Sequence, residues 1–114
     1  MLKITQHEEV WWPVVIRKPR EDGSGNSDKF KVEIKYRLLT RSDAQLLIPE
    51  DDGMSDSERL VTLVDRVCDH ILGWKDIDLE YSPENVRLAM DKPYFSDPVI
   101  SGLRDASAGG RAKN

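Results

Sequence analysis

The chain reads as an α+β domain, an N-terminal antiparallel β-hairpin packed on a small bundle of about four helices. Three observations predict it. Phe30, Val32, Ile34, Tyr36 and Leu38 alternate strictly with Lys29, Lys31, Glu33, Lys35 and Arg37, the period-two pattern of a strand with one face on a core and one in water. Further on, Leu60, Leu63, Val64, Val67 and Ile71 fall on a single helical stripe. Ser82-Pro83-Glu84-Asn85 then has the form of a helix start, with Ser82 as the cap and Pro83 at a first position where no N–H is needed.

Taken in order, Val10 to Lys18 is rich in aromatic and β-branched residues and supplies the partner strand, so the hairpin spans 10–38. Pro13 cannot donate to a ladder, which puts it on an edge or at the strand's start. Residues 19–28 between the strands are polar, rich in Gly, Ser and Asn, and too long for a tight turn, so a mobile tip is expected. The helical part covers 40–107. Thr40 or Ser42 caps a short helix with Ala44, Leu46, Leu47 and Ile48, which Pro49 terminates. Glu50-Asp51-Asp52-Gly53 is an acidic connector, and Ser55 with Glu58 has capping-box spacing. The helix after it carries the long stripe, widened by Val61, Cys68 and Leu72, and is expected at the centre of the core, with Gly73 as its left-handed stop.

A third helix runs from Pro83 to about Met90 with Val86, Ala89 and Met90 inward. Ser96-Asp97-Pro98 reads as a fresh start for a last helix through Leu103 to about Ala106, because Pro98 would break a helix begun earlier. Gly102 weakens that helix by about 1 kcal/mol relative to alanine. Residues 108–114 are small, polar and basic, and are expected to be disordered. The pattern contains no internal repeat.

A chain of 114 residues is one domain, able to bury roughly 60–70% of its unfolded surface without metal or disulfide. The single Cys68 has no internal partner for a disulfide, which suits a reduced compartment. No leader is expected, since the first residues turn acidic before any apolar run. The apolar patches are shorter than the roughly 18 residues of a membrane span. A formal net charge of −4 argues against a duplex-DNA binder.

Candidate chemistry is sparse. Cys68 and His70 are two apart on the expected helix and would not face one another; Cys68 reads as a core residue and His70 as a surface one. If Gly53 were the sixth residue of a calcium loop, Ile48 and Arg59 would occupy its first and twelfth positions, where neither supplies the needed oxygen. The carboxylates from Glu50 to Glu58 read instead as a solvated acidic stretch beside a helix N-terminus. Lys29, Lys31, Lys35 and Arg37, with Arg17, Lys18 and Arg20, make a basic hairpin face. It reads first as protection of a sheet edge and second as a platform for nucleic acid or an acidic partner. Trp11 and Trp12 point to opposite faces of their strand. Aromatic residues of this kind close cores more often than they meet partners, yet they are also enriched at binding hot spots.

The order of several short motifs resembles one family, the tail assembly chaperones of long-tailed, non-contractile, lambda-like bacteriophages. The pieces are Trp11-Trp12-Pro13-Val14, Gly73-Trp74, Ser82-Pro83-Glu84-Asn85, Pro93-Tyr94 and a small-residue tail from Gly109 to Asn114. Pro98 departs from the continuous final helix usual in that family. The resemblance implies a non-enzymatic protein of the bacterial host cytoplasm, without cofactor or metal. Such a protein coats the long helical tape measure protein until tail-tube subunits replace it. It implies the tail tube protein as a further partner through a frameshifted extension, and leaves self-association open. On this reading the partner contacts are Trp74, Tyr94, Phe95, Ile100 and Leu103. The alternatives are a structural tail or head–tail completion protein and, behind it, a small nucleic-acid-binding regulator.

Overall fold

The computed structural model describes residues 1–46, 53 and 55–110. The chain runs β1 (Glu9–Pro19), β2 (Ser27–Arg37), α1 (Arg41–Leu46), α2 (Asp56–Cys68), β3 (Ile71–Lys75), α3 (Pro83–Met90) and α4 (Pro93–Ser107). The strands form one antiparallel sheet in the order β1-β2-β3, and the helices lie on one of its faces. The α+β architecture with an N-terminal hairpin is therefore present, with a third strand added to it.

The hairpin register pairs Val10 with Tyr36, Trp12 with Ile34, Val14 with Val32 and Ile16 with Phe30, which puts all eight on the helix side. Pairing continues to Pro19 and Ser27, so the connecting loop is shorter than the predicted 19–28. The loop is also internally bonded. Arg20 N–H donates to the Asn26 carbonyl (2.9 Å), Ser24 N–H to Asp22 Oδ1 (3.0 Å), and the Arg20 side chain to Asp28 (2.9 Å). Pro13 sits in β1, an edge strand, where a missing N–H need not interrupt a ladder.

Thr40 caps α1 reciprocally with Asp43: each backbone N–H donates to the other's side chain at 3.1 Å. The predicted continuation through Leu47 and Ile48 to Pro49, and the acidic connector 50–52, lie outside the described residues. Ser55 and Glu58 form the capping box that opens α2. This helix is not the centre of the core. Only Val67 is fully buried, Leu63, Val64 and Cys68 are half-buried, and Leu60 and Val61 are exposed.

The helix is shorter than its apolar stripe predicts. α2 stops at Cys68, and Ile71, Leu72 and Gly73 belong to β3, so Gly73 ends no helix. A short apolar run fits either period, and here the open edge of β2 decides: its backbone groups gain partners from 71–75. A register shift between Lys35 and Tyr36 lets Ile71 and Trp74, three residues apart, both face inward. His70, expected at the surface, is buried. Its Nδ1 lies 2.8 Å from the Arg37 carbonyl, which can only accept, so Nδ1 carries the proton.

The core centres on α4, which also differs from expectation. It starts at Pro93 and runs on through Pro98, and Ser96 is buried inside it instead of capping it. An internal proline forfeits one helix bond and crowds the preceding turn, at roughly 3 kcal/mol. Burial of Phe95 before it and of Val99, Ile100 and Leu103 after it stabilises by about 1.5–3 kcal/mol for each large side chain, which outweighs the break. The helix settles on the sheet through Tyr36, whose buried hydroxyl donates to the Val99 carbonyl at 2.7 Å. Gly102 makes the approach possible: a Cβ there would lie 2.7 Å from the Tyr36 hydroxyl and 3.1 Å from Val14 Cγ2. Of the tail 108–114, Ala108, Gly109 and Gly110 continue from the end of α4, and 111–114 lie outside the described residues. Gly109 N–H donates to Ala106 and Gly110 N–H to Asp105 (3.1 and 2.7 Å), with both glycines in the left-handed region. Trp12 packs against Gly110.

Gly102→Ala is expected to destabilise the fold by about 1–3 kcal/mol, overpacking outweighing the better helix propensity. Tyr36→Phe should cost about 1 kcal/mol while removing the obstacle to the new methyl group. Urea denaturation of the double variant should therefore show less than the sum of the two losses; strict additivity would mean the hydroxyl is not what excludes a side chain at 102.

Candidate partner-binding groove

β3 delivers the chain to Asp76, whose φ of 67° is uncommon for a non-glycine residue. The loop that follows is held by side chains at both of its ends. The Trp74 indole N–H donates to the Leu79 carbonyl (2.8 Å), the Tyr81 hydroxyl to the Ile71 carbonyl (2.7 Å) and the Asn85 amide to the Glu80 carbonyl (2.7 Å). Ser82 caps α3 through the Asn85 N–H at 3.1 Å. Trp74 also meets Tyr81 and Phe95 edge-on, with ring centroids 5.7 and 6.0 Å apart, the arrangement that aromatic quadrupoles prefer. The residues of the Gly-Trp and Ser-Pro-Glu-Asn motifs thus tie the segment 76–82 down as a wall.

Opposite this wall is the hairpin end of the sheet's inner face. Ile16 and Val32 are buried there, while Phe30, the last inward member of the alternation, stays 48% exposed. Between Phe30, Ile77 and Leu79 of the wall, and Leu88 and Tyr94 at the α3–α4 corner lies a groove of about 380 Å³. Its lining is mainly apolar, and Leu88 on its rim is 53% exposed. Lys18, Lys92, Asp76 and Asp78 give the rim both signs of charge. A second hollow of about 240 Å³ separates α2 from the α3–α4 corner, with Leu60, Val61, Cys68 and Met90 in its walls. An ion pair between Arg87 and Asp65 ties α3 to α2 beside it.

The five residues expected to touch a partner divide sharply. Trp74, Ile100 and Leu103 are buried in the core, and Phe95, also buried, forms part of the groove's floor. Tyr94 is half-buried and lines the groove. Because α4 begins at Pro93, Ile100 and Leu103 belong to a longer helix whose apolar stripe lies on the sheet. Phe30 and Leu88 take the exposed places, and sequence reading did not single them out. The signal for Leu88 was its position off the Val86–Ala89–Met90 stripe, an apolar side chain on the solvent face of a helix.

Among the described residues no group of three or more His, Cys, Asp and Glu side chains could hold a metal ion, and no helix is long and apolar enough to cross a membrane. Cys68 is half-buried, and burial holds its thiol above the usual range, which lowers the thiolate fraction available for attack. The His70 Nδ1–H donates a hydrogen bond to the Arg37 carbonyl. No family model matches the chain, and no curated protein and no solved structure matches it.

Tyr81→Phe should cost about 1 kcal/mol and speed hydrogen exchange of the amides in 77–81 more than those of β2. Equal acceleration in both would mean that the Tyr81 hydroxyl does not hold the loop. A thiol whose pKa is raised ionises only at higher pH, so Cys68 should react with a disulfide reagent at pH 7–8 more slowly than free cysteine. Titrating the rate against pH checks the direction.

Proposed function

We propose that this chain is a binding protein that makes and breaks no covalent bonds, and that it acts as a tail assembly chaperone of the lambda-like phage type. On this reading the groove receives one face of an amphipathic helix of the tape measure protein, keeping that long chain soluble until tube subunits enclose it. The observation that supports it best is the pair of exposed apolar side chains, Phe30 and Leu88, flanking an apolar groove with a fixed wall. A helix presents apolar anchors at i, i+3, i+4 and i+7, and such a groove takes them as side chains in a slot. A wall already tied down reduces the ordering entropy that binding must overcome. Many weak copies along one tape measure chain would gain strength by avidity, and release needs only competition from tube subunits.

Co-expression with a long, helical tape measure protein tests the reading. The soluble fraction of that protein should rise with the wild-type chain. Phe30→Glu and Leu88→Glu change exposed positions and should alter stability by about 0.5 kcal/mol or less, yet abolish the gain. No rise in solubility with the wild type, or an undiminished rise with both variants, overturns the proposal.

A further inference from the structure

We infer that the open face of the sheet, on the side away from the helices, binds single-stranded nucleic acid. This inference is independent of the groove and of its proposed occupant. The register places Arg17, Lys29, Lys31, Lys35, Arg37 and Lys75 on that face, together with Glu9 and Glu33. The face thus holds six of the chain's 17 Lys and Arg but only two of its 21 Asp and Glu, so a chain that is acidic overall presents a locally cationic surface. Lys75 joins it only because 71–75 pairs with β2. Lys35, half-buried, and Glu9, exposed, lie 3.4 Å apart, a pairing with which a phosphate can compete.

Lys29 and Lys31 are neighbours on this face of β2, about 6.7 Å apart along the strand, and Lys35 and Arg37 form a second such pair beyond Glu33, a spacing that suits phosphates of an extended strand. In its midst lies Trp11, 39% exposed. Gly73 has no side chain, so the indole reaches from β1 across to β3, with its Cη2 atom 3.6 Å from where a Cβ on Gly73 would stand. The Lys75 ammonium rests 4.1 Å from the ring centroid, a cation–π contact on a flexible stem that can pass to a phosphate when a base takes the ring. A cationic track with an aromatic platform is the combination that holds single strands irrespective of sequence. An acidic protein segment would find the same charges, but beside Trp11 the face offers Pro13, Val15 and Pro19 as its apolar contacts. Protein partners draw their strength from anchors seated in pockets.

The experiment measures fluorescence anisotropy of labelled ten-residue oligo(dT) and oligo(rU) with the full chain, and uses polyglutamate as competitor. Binding is expected at 50 mM salt, quenching tryptophan emission and weakening about 50-fold by 200 mM for some four neutralised phosphates. Trp11→Ala should weaken it about tenfold or more, while Trp11→Phe retains most of it. Lys31→Glu with Lys35→Glu should abolish it, and the milder Lys31→Gln with Lys35→Gln should reduce both affinity and salt slope, each with an unchanged melting curve. The inference is overturned if neither oligonucleotide binds at 50 mM salt or if polyglutamate displaces them at equal charge concentration. It is overturned equally if the folded charge variants bind as the wild type does.

Discussion

The hydrogen bond from the buried Tyr36 hydroxyl to the Val99 carbonyl is the constraint on which the arrangement of this protein depends. A hydroxyl taken out of water without a partner destabilises by several kcal/mol, so once Tyr36 turns inward from β2, something must accept its proton. Burial also pushes the phenol far above its usual ionisation range, so the group remains a donor. The acceptor lies one residue beyond Pro98, in the middle of α4. Meeting it requires the helix to come close to the sheet, and Gly102 is the absent side chain that permits this. The helix axis, the depth of Phe95, Ile100 and Leu103, and the continuity of α4 through its proline all follow from that approach.

From the same seat comes the groove. Phe95 is driven under Trp74, and Trp74 holds the loop wall through Leu79 and Tyr81. Because both ends of 76–82 are pinned, Ile77 and Leu79 stand as one side of a slot instead of collapsing into it. The hairpin outruns the helices at its far end, which leaves Phe30 uncovered. Phe30 therefore remains in water because the sheet is longer than the helical layer that covers it, whereas Leu88 does so because it lies off the buried stripe of α3.

The sheet's other face is governed by charge. Strict alternation in β2 puts every apolar residue toward the helices, so the opposite positions fall to lysine, arginine and glutamate. Such residues keep the open face soluble and discourage stacking of sheets, and the same arrangement concentrates cations around one tryptophan. A single alternating pattern thus builds the core on one side and a cationic surface on the other.

Much was legible in the linear order of residues because it rests on local physics. The α+β class, the hairpin with its inward-facing alternation, the Ser55–Glu58 capping box and the Ser82–Pro83 helix start depend on periodicity and on hydrogen bonds within a few residues, and each is present in the structure. The failures share another cause. Ile71 to Trp74 satisfy a helical stripe or a strand equally well, and only the vacant edge of β2, far away in sequence, selects the strand. His70 has no local reason to be buried until Arg37 offers it a carbonyl. Pro98 should break a helix on local grounds, and the packing of its neighbours on the sheet overrides that preference. The side chains open to a partner were decided in the same way. Trp74, Phe95, Ile100 and Leu103 are buried only by a layer the sequence cannot display, and Phe30 stays accessible because that layer ends where it does. Local hydrogen bonding and periodicity set the elements; long-range burial chose among their rival conformations and determined which surfaces remained.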